Sequence, residues 1–196
     1  MESLGEDLLL VALDPASGVL HGRGKLPYGL MGAELVMLVS AGLVSVADGR
    51  VVEVAPGRAT GDLDLDAALG RIALRPEPPG VRNWVASPRA NITRSYLARL
   101  VAAGAIGERE GSILRPRWPV HDLARAGSVR ARLDAVALGT GDADAAQVTF
   151  AGLADAIGLG WTYYQGWRLR EITSNDWAAS AVRDAIQAAN AGVFIC

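Results

Sequence analysis

The chain is poor in the residues that most site chemistry needs. Its only cysteine is Cys196, so no disulfide can form within it, a composition suited to a reducing cytosol. Cys196 reads as incidental, because a prenylation signal places its cysteine further from the end. Histidine occurs twice, at His21 and His121. Neither has the spacing of a metal site, and no Gly-x-Ser-x-Gly elbow is present. The residues therefore point to no enzyme, no catalytic residue, no metal and no cofactor. Long apolar runs are also missing. The stretch from Gly29 to Val44 is about sixteen residues long and carries Glu34 near its middle, too short and too costly to span a bilayer. The run Leu8–Leu13 follows Glu2, Glu6 and Asp7, whereas a secretory signal places positive charge there. A cytoplasmic protein is expected, with any membrane contact peripheral.

What is present suits a globular fold. Of 196 residues, 51% are hydrophobic and 20% charged, enough for one well-filled domain, placed at residues 5–190. Ser3-x-x-Glu6 reads as a capping box for a helix ending near Leu13. A second helix is expected from Pro27 to Gly42. The runs Leu43–Val46 and Val51–Val54 follow it, joined by Asp48-Gly49, a dipeptide suited to a tight hairpin turn. The pattern returns at Leu100–Ala105 and Glu110-Gly111, so a helix-plus-hairpin unit is expected twice, the second helix covering Asn91 to Ala103. Further helices are read at Val129–Leu138, Ala145–Ile157, Tyr164–Glu171 and Trp177–Ala191, the last capped by Ser174 or Asn175. The fold class is mainly α, a compact helical domain with short β-hairpins.

Two motifs fail on their details. Asp62-x-Asp64-x-Asp66 resembles a calcium loop, but Ala67 and Ala73 stand where such a loop needs Gly and Glu. Carboxylates stabilised by the free amides of a first helical turn explain it better. Gly22-Arg23-Gly24-Lys25 hints at a phosphate loop, yet Val19 and Leu26 replace its other required residues. A basic loop beside a helix start can still hold a phosphate.

Charge is uneven. Residues 82–132 carry ten Arg against Glu108, Glu110 and Asp122, within a chain whose net charge is −2. A basic middle third suggests an anionic partner, unless these Arg face the acidic thirds of the same chain. Of the five Trp, Trp84 and Trp177 sit at core spacing. Trp118 is flanked by Arg115 and Arg117, a mixture suited to a membrane interface.

The order of these segments resembles the Golgi phosphoprotein 3 family. Thr60-Gly61-Asp62-Leu63-Asp64-Leu65-Asp66-Ala67-Ala68-Leu69 is similar to its Thr-Gly-Asp signature. Glu6–Asp14, Gly29–Leu35, Asn83-Trp84-Val85, Arg99–Ile106 and Asp176–Val182 fit in sequence, the last resembling bacterial members. The resemblance implies a helical domain with a protruding hairpin. It also implies peripheral binding of phosphatidylinositol 4-phosphate, and an adaptor role toward membrane-protein clients. The family's headgroup Trp and Arg positions fall here on Gly22, Met31, Ala90 and Thr93.

Charge and placement therefore nominate Arg23, Lys25, Arg89 and Arg94 as contacts to an anionic phospholipid headgroup. The second hairpin, with Arg115, Arg117 and Trp118, is expected to touch the membrane or a second copy in a homo-oligomer. The alternative is a winged-helix-like nucleic-acid-binding protein. It is disfavoured because Pro27–Ala41 is almost wholly apolar, leaving only Asn91–Ala103 to act as a recognition helix.

Overall fold

The computed structural model describes residues 3–54, 59–141, 143–165 and 168–193. Trp167 and Cys196 lie outside them. Helix α1 (Leu4–Ala12) is apolar nearly all round, and Leu8, Leu9 and Ala12 have no exposure. A helix of that kind belongs at the centre of a fold. Helix α2 (Leu26–Ser40) is its partner: Leu26, Leu30, Met31, Leu35 and Leu38 are fully buried. Each such side chain stabilises the fold by about 1.5–3 kcal/mol. Close approach to α2 depends on Gly32, where a Cβ would stand 2.8 Å from Val182 and 3.0 Å from Leu153.

The remaining elements wrap this pair. After α2 come strands β1 (Val44–Ala47) and β2 (Arg50–Val54), then α3 (Leu63–Ala73), α4 (Val81–Val85) and α5 (Ile92–Ala102). Strands β3 (Glu110–Gly111) and β4 (Pro116–Arg117) precede α6 (Leu123–Leu138), α7 (Ala145–Ala156), α8 (Leu159–Tyr164), α9 (Arg168–Ile172) and α10 (Trp177–Val193). Helix α2 packs against α1, α3, α4, α5, α7 and α10, and α1 against α5, α6 and α7. The two hairpins form separate two-stranded antiparallel sheets. The expected class, mainly helical with the helix-plus-hairpin unit twice, is what the chain adopts.

Several details differ from the sequence reading. Ser3 stands at the N-cap of α1 but makes no capping bond; its hydroxyl instead faces Met37 Sδ at 3.9 Å. The first hairpin turns at Asp48-Gly49, both at positive φ. The second does not turn at Glu110-Gly111, which form β3 and pair with Arg117 and Pro116; the reversal comes over residues 112–115. The helix expected over Tyr164–Glu171 is broken, because Gln165 takes a left-handed conformation that closes α8. Helix α10 is capped by Asp176, whose Oδ1 accepts from Ala179 N at 2.7 Å, rather than by Ser174 or Asn175. Trp84 is fully buried as expected, whereas Trp177 is 38% exposed.

Candidate functional site

The basic middle third divides in two. Half of its Arg turn inward to acids of the same chain. Arg89, in the loop before α5, donates through Nη2 to Glu34 Oε1 of α2 at 2.6 Å and to Asp64 Oδ1 of α3 at 2.7 Å. Ser95 Oγ also donates to Asp64, at 3.0 Å. Arg99 donates to Glu6 Oε1 at 2.9 Å and lies 2.7 Å from Asp62 Oδ2. Arg125 reaches Glu6 at 2.8 Å and Arg132 reaches Asp7 at 2.5 Å. Arg130 pairs with Asp134 at 3.0 Å and lies 3.7 Å from the Tyr163 ring centroid. Charges of alternating sign thus tie α1, α2, α3, α5 and α6 together.

Local backbone chemistry places the acids. Asp62 caps α3 by accepting from Asp64 N at 2.9 Å and Leu65 N at 3.3 Å. Asp66 accepts from the Thr60 amide and hydroxyl at 2.6 and 2.7 Å. Burial pushes the Glu34 carboxyl above its ordinary range, and its bonds to Arg89 and Tyr96 offset only part of that. Burial also acts on Asp64, but hydrogen bonds from Ser95, Arg89 and Arg99 outweigh it and hold its carboxyl low. A groove of about 1010 Å³ opens beside this network, lined by Met37, Leu43, Thr60, Asp62, Asp64 and Arg99 among others.

The other half of the Arg face solvent. Arg82, Arg94, Arg109, Arg115 and Arg117 are exposed and make no ion pair among the described residues. Three of the five, Arg109, Arg115 and Arg117, belong to the second hairpin. At its tip Ile113 and Leu114 are 82% and 88% exposed. The hairpin thus carries an apolar point ringed by cations, with Glu108 and Glu110 at its base. The sequence reading missed Ile113 and Leu114. Their signal was two adjacent apolar residues in a reversal.

Trp118 does not share that surface. It is 9% exposed, and its amide donates to Gly18 O at 2.8 Å. Its side chain belongs to the buried core, and the neighbouring Arg117 forms a bridge with Val19.

Arg23 and Lys25 lie in the turn before α2, and both are exposed. Gly22 seats this turn on the end of α7, where a Cβ would come 2.9 Å from Ile157 O. Of the four nominated headgroup contacts, Arg23, Lys25 and Arg94 face solvent and Arg89 is held inward. Met31, at a headgroup position of the resembled family, is fully buried, and Thr93 Oγ1 is buried with no hydrogen-bond partner among the described residues. Helix α5 presents Arg94 outward, while Arg99 is committed to Glu6 and Asp62. That leaves little of the basic face that a nucleic-acid recognition helix needs.

The family model described as Golgi phosphoprotein 3 (GPP34) matches residues 4–189. The chain belongs to the Golgi phosphoprotein 3 family. No curated protein is matched. Among the described residues of this family member, no helix is long and apolar enough to cross a membrane. The same residues hold no cluster of His, Cys, Asp and Glu able to bind a metal ion.

Proposed function

We propose that this member of the Golgi phosphoprotein 3 family is a non-enzymatic peripheral membrane protein that binds anionic phospholipid headgroups, of the phosphatidylinositol 4-phosphate kind. The observation that carries the reading is the second hairpin, whose exposed Ile113 and Leu114 stand among Arg109, Arg115 and Arg117, exposed and without an ion pair among the described residues. An apolar point with a cationic collar suits the boundary between acyl chains and headgroups.

The basic turn lies within reach of the hairpin. Arg117 bridges to Val19, and the six steps from Val19 to Lys25 span at most about 22 Å. The hairpin and the turn are therefore close enough to touch one membrane patch. Each cation near an anionic surface contributes about 1 kcal/mol, and each inserted apolar side chain about 1.5–3 kcal/mol. Against the entropy lost on association, the sum supports reversible, salt-sensitive binding. An adaptor role would bring a membrane-protein client to that surface, and the exposed hairpin could also meet a second copy of the chain.

Co-sedimentation with vesicles tests the reading. Pelleting with vesicles containing phosphatidylserine or phosphatidylinositol 4-phosphate, and not with phosphatidylcholine alone, is expected. Equal recovery in all supernatants at low salt would refute it.

A further inference from the structure

Three cations from distant parts of the chain converge where α7 ends. The Asp155 side chain is 9% exposed, and its Oδ2 lies 3.7 Å from Arg170 Nε of α9 and 3.7 Å from Arg183 Nη1 of α10. Lys25 is the third cation. Its charge acts on Asp155, and a Cβ on Gly158, in the turn between α7 and α8, would stand 3.5 Å from its Nζ. Gly160 belongs to the same arrangement, since a Cβ there would collide with Asp155 Oδ1.

At 3.7 Å neither guanidinium hydrogen-bonds the carboxylate. Asp155 Oδ2 and Arg183 Nη1 are both buried without a hydrogen-bond partner among the described residues. Buried charged atoms are normally satisfied: Oδ2 is an acceptor approached by the two guanidiniums, whereas Arg183 Nη1 is a buried donor short of an acceptor. One carboxylate also leaves two of the three positive charges unmatched. Asp176 and Asp184 act on Arg183 only through space, and Asp176 is occupied by Thr149 and Ala179. Arg183 Nη2 is itself taken by Thr173 O and Ser180 Oγ, both at 3.1 Å. Solvent reaches the cluster at Arg170, which is 58% exposed, and at Lys25.

We propose that Lys25, Arg170 and Arg183 form a binding site for a phosphate monoester, with Asp155 holding the two guanidiniums in place. A monoester carries about −1.5 to −2 charge near neutral pH and offers three acceptor oxygens. That matches the excess charge and the three donors better than a singly charged phosphodiester does. Guanidinium groups suit such oxygens through paired N–H donors. The site uses none of Gly22, Met31, Ala90 and Thr93. It deepens the headgroup reading by naming the phosphate, and rests on that reading only for the source of the phosphate.

The test titrates the full chain, followed by amide NMR, with glycerol 3-phosphate as monoester and dimethyl phosphate as diester. Lys25→Ala and Arg170→Ala are the variants, both at exposed positions. Shifts around Lys25, Gly158 and Arg170 are expected, with the monoester preferred by about tenfold and weakened at least about fivefold in each variant. No shifts, equal affinity for the diester, or unchanged binding in both variants would overturn the site. A second arm compares vesicles holding phosphatidic acid with vesicles holding phosphatidylserine. Binding of the free monoester without vesicle binding upholds the site and removes the membrane as its source. Vesicle binding without any response to the free monoester overturns the site and leaves the hairpin reading standing.

Discussion

Arg89 reaches across 55 residues of sequence to place Nη2 2.6 Å from Oε1 of Glu34, a side chain with no solvent exposure. The same nitrogen holds Asp64 at 2.7 Å. One guanidinium thus joins the central helix α2 to α3, and its removal would strand a buried charge rather than merely lose a contact. Arg89→Ala is expected to destabilise the protein by about 3–5 kcal/mol, read from urea unfolding. The folded fraction should bind vesicles as wild type does. Unchanged stability with lost lipid binding would instead make Arg89 a headgroup contact.

The two acids on Arg89 respond oppositely to pH. The Asp64 carboxyl is held below its ordinary 3.8, so its contribution is present above that value and is lost as pH falls through the lower folded pKa. The Glu34 carboxyl is raised above 4.5, so stability is lost as pH rises from 4.5 through its folded pKa. Stability curves of Asp64→Asn should therefore lack part of the acid limb below about pH 4. The stability advantage of wild type over Glu34→Gln should shrink as pH rises above 4.5. A difference between wild type and Glu34→Gln that does not change with pH would contradict the raised carboxyl.

The hairpin separates surface from support. Replacing Ile113 and Leu114 together by Ser should change unfolding free energy by less than about 0.5 kcal/mol, since both are more than four-fifths exposed. The same double variant should lose most of its vesicle binding. Trp118→Ala should do the reverse at first order, costing about 3–5 kcal/mol of stability, because its side chain is buried in the core. Calorimetry beside co-sedimentation distinguishes the two.

Helix α2 leaves no room at Gly32. Gly32→Val should destabilise by about 1–3 kcal/mol or more through overpacking, because even the first added carbon meets Val182 at 2.8 Å and Leu153 at 3.0 Å. A melting temperature equal to wild type would mean that α10 can shift away.

Some local signals in the sequence are legible, and distant pairings are not. The apolar run of α2, the Asp48-Gly49 turn and the acids opening α3 declare themselves within a few residues. There the causes are backbone sterics and exposed amides. The second hairpin misled because Glu110-Gly111 imitates the earlier turn, whereas these two residues pair as a strand and the chain reverses over residues 112–115. The break at Gln165 had one signal in the sequence, the adjacent Gly166, and the helix expected over Tyr164–Glu171 ran through it. Which Arg of the middle third would be neutralised depended on acids such as Glu6, Asp7 and Glu34, all at least 55 positions away, and no periodicity encodes that. Trp118 looked interfacial from its cationic neighbours, but strand alternation sends Arg117 outward and Trp118 inward.

Vesicle co-sedimentation of the wild-type chain across a salt series decides whether the protein docks on anionic membranes. Pelleting with anionic vesicles at low salt, progressive release as salt rises, and no pelleting with phosphatidylcholine alone are expected. Identical partitioning with anionic and neutral vesicles at every salt concentration would contradict it.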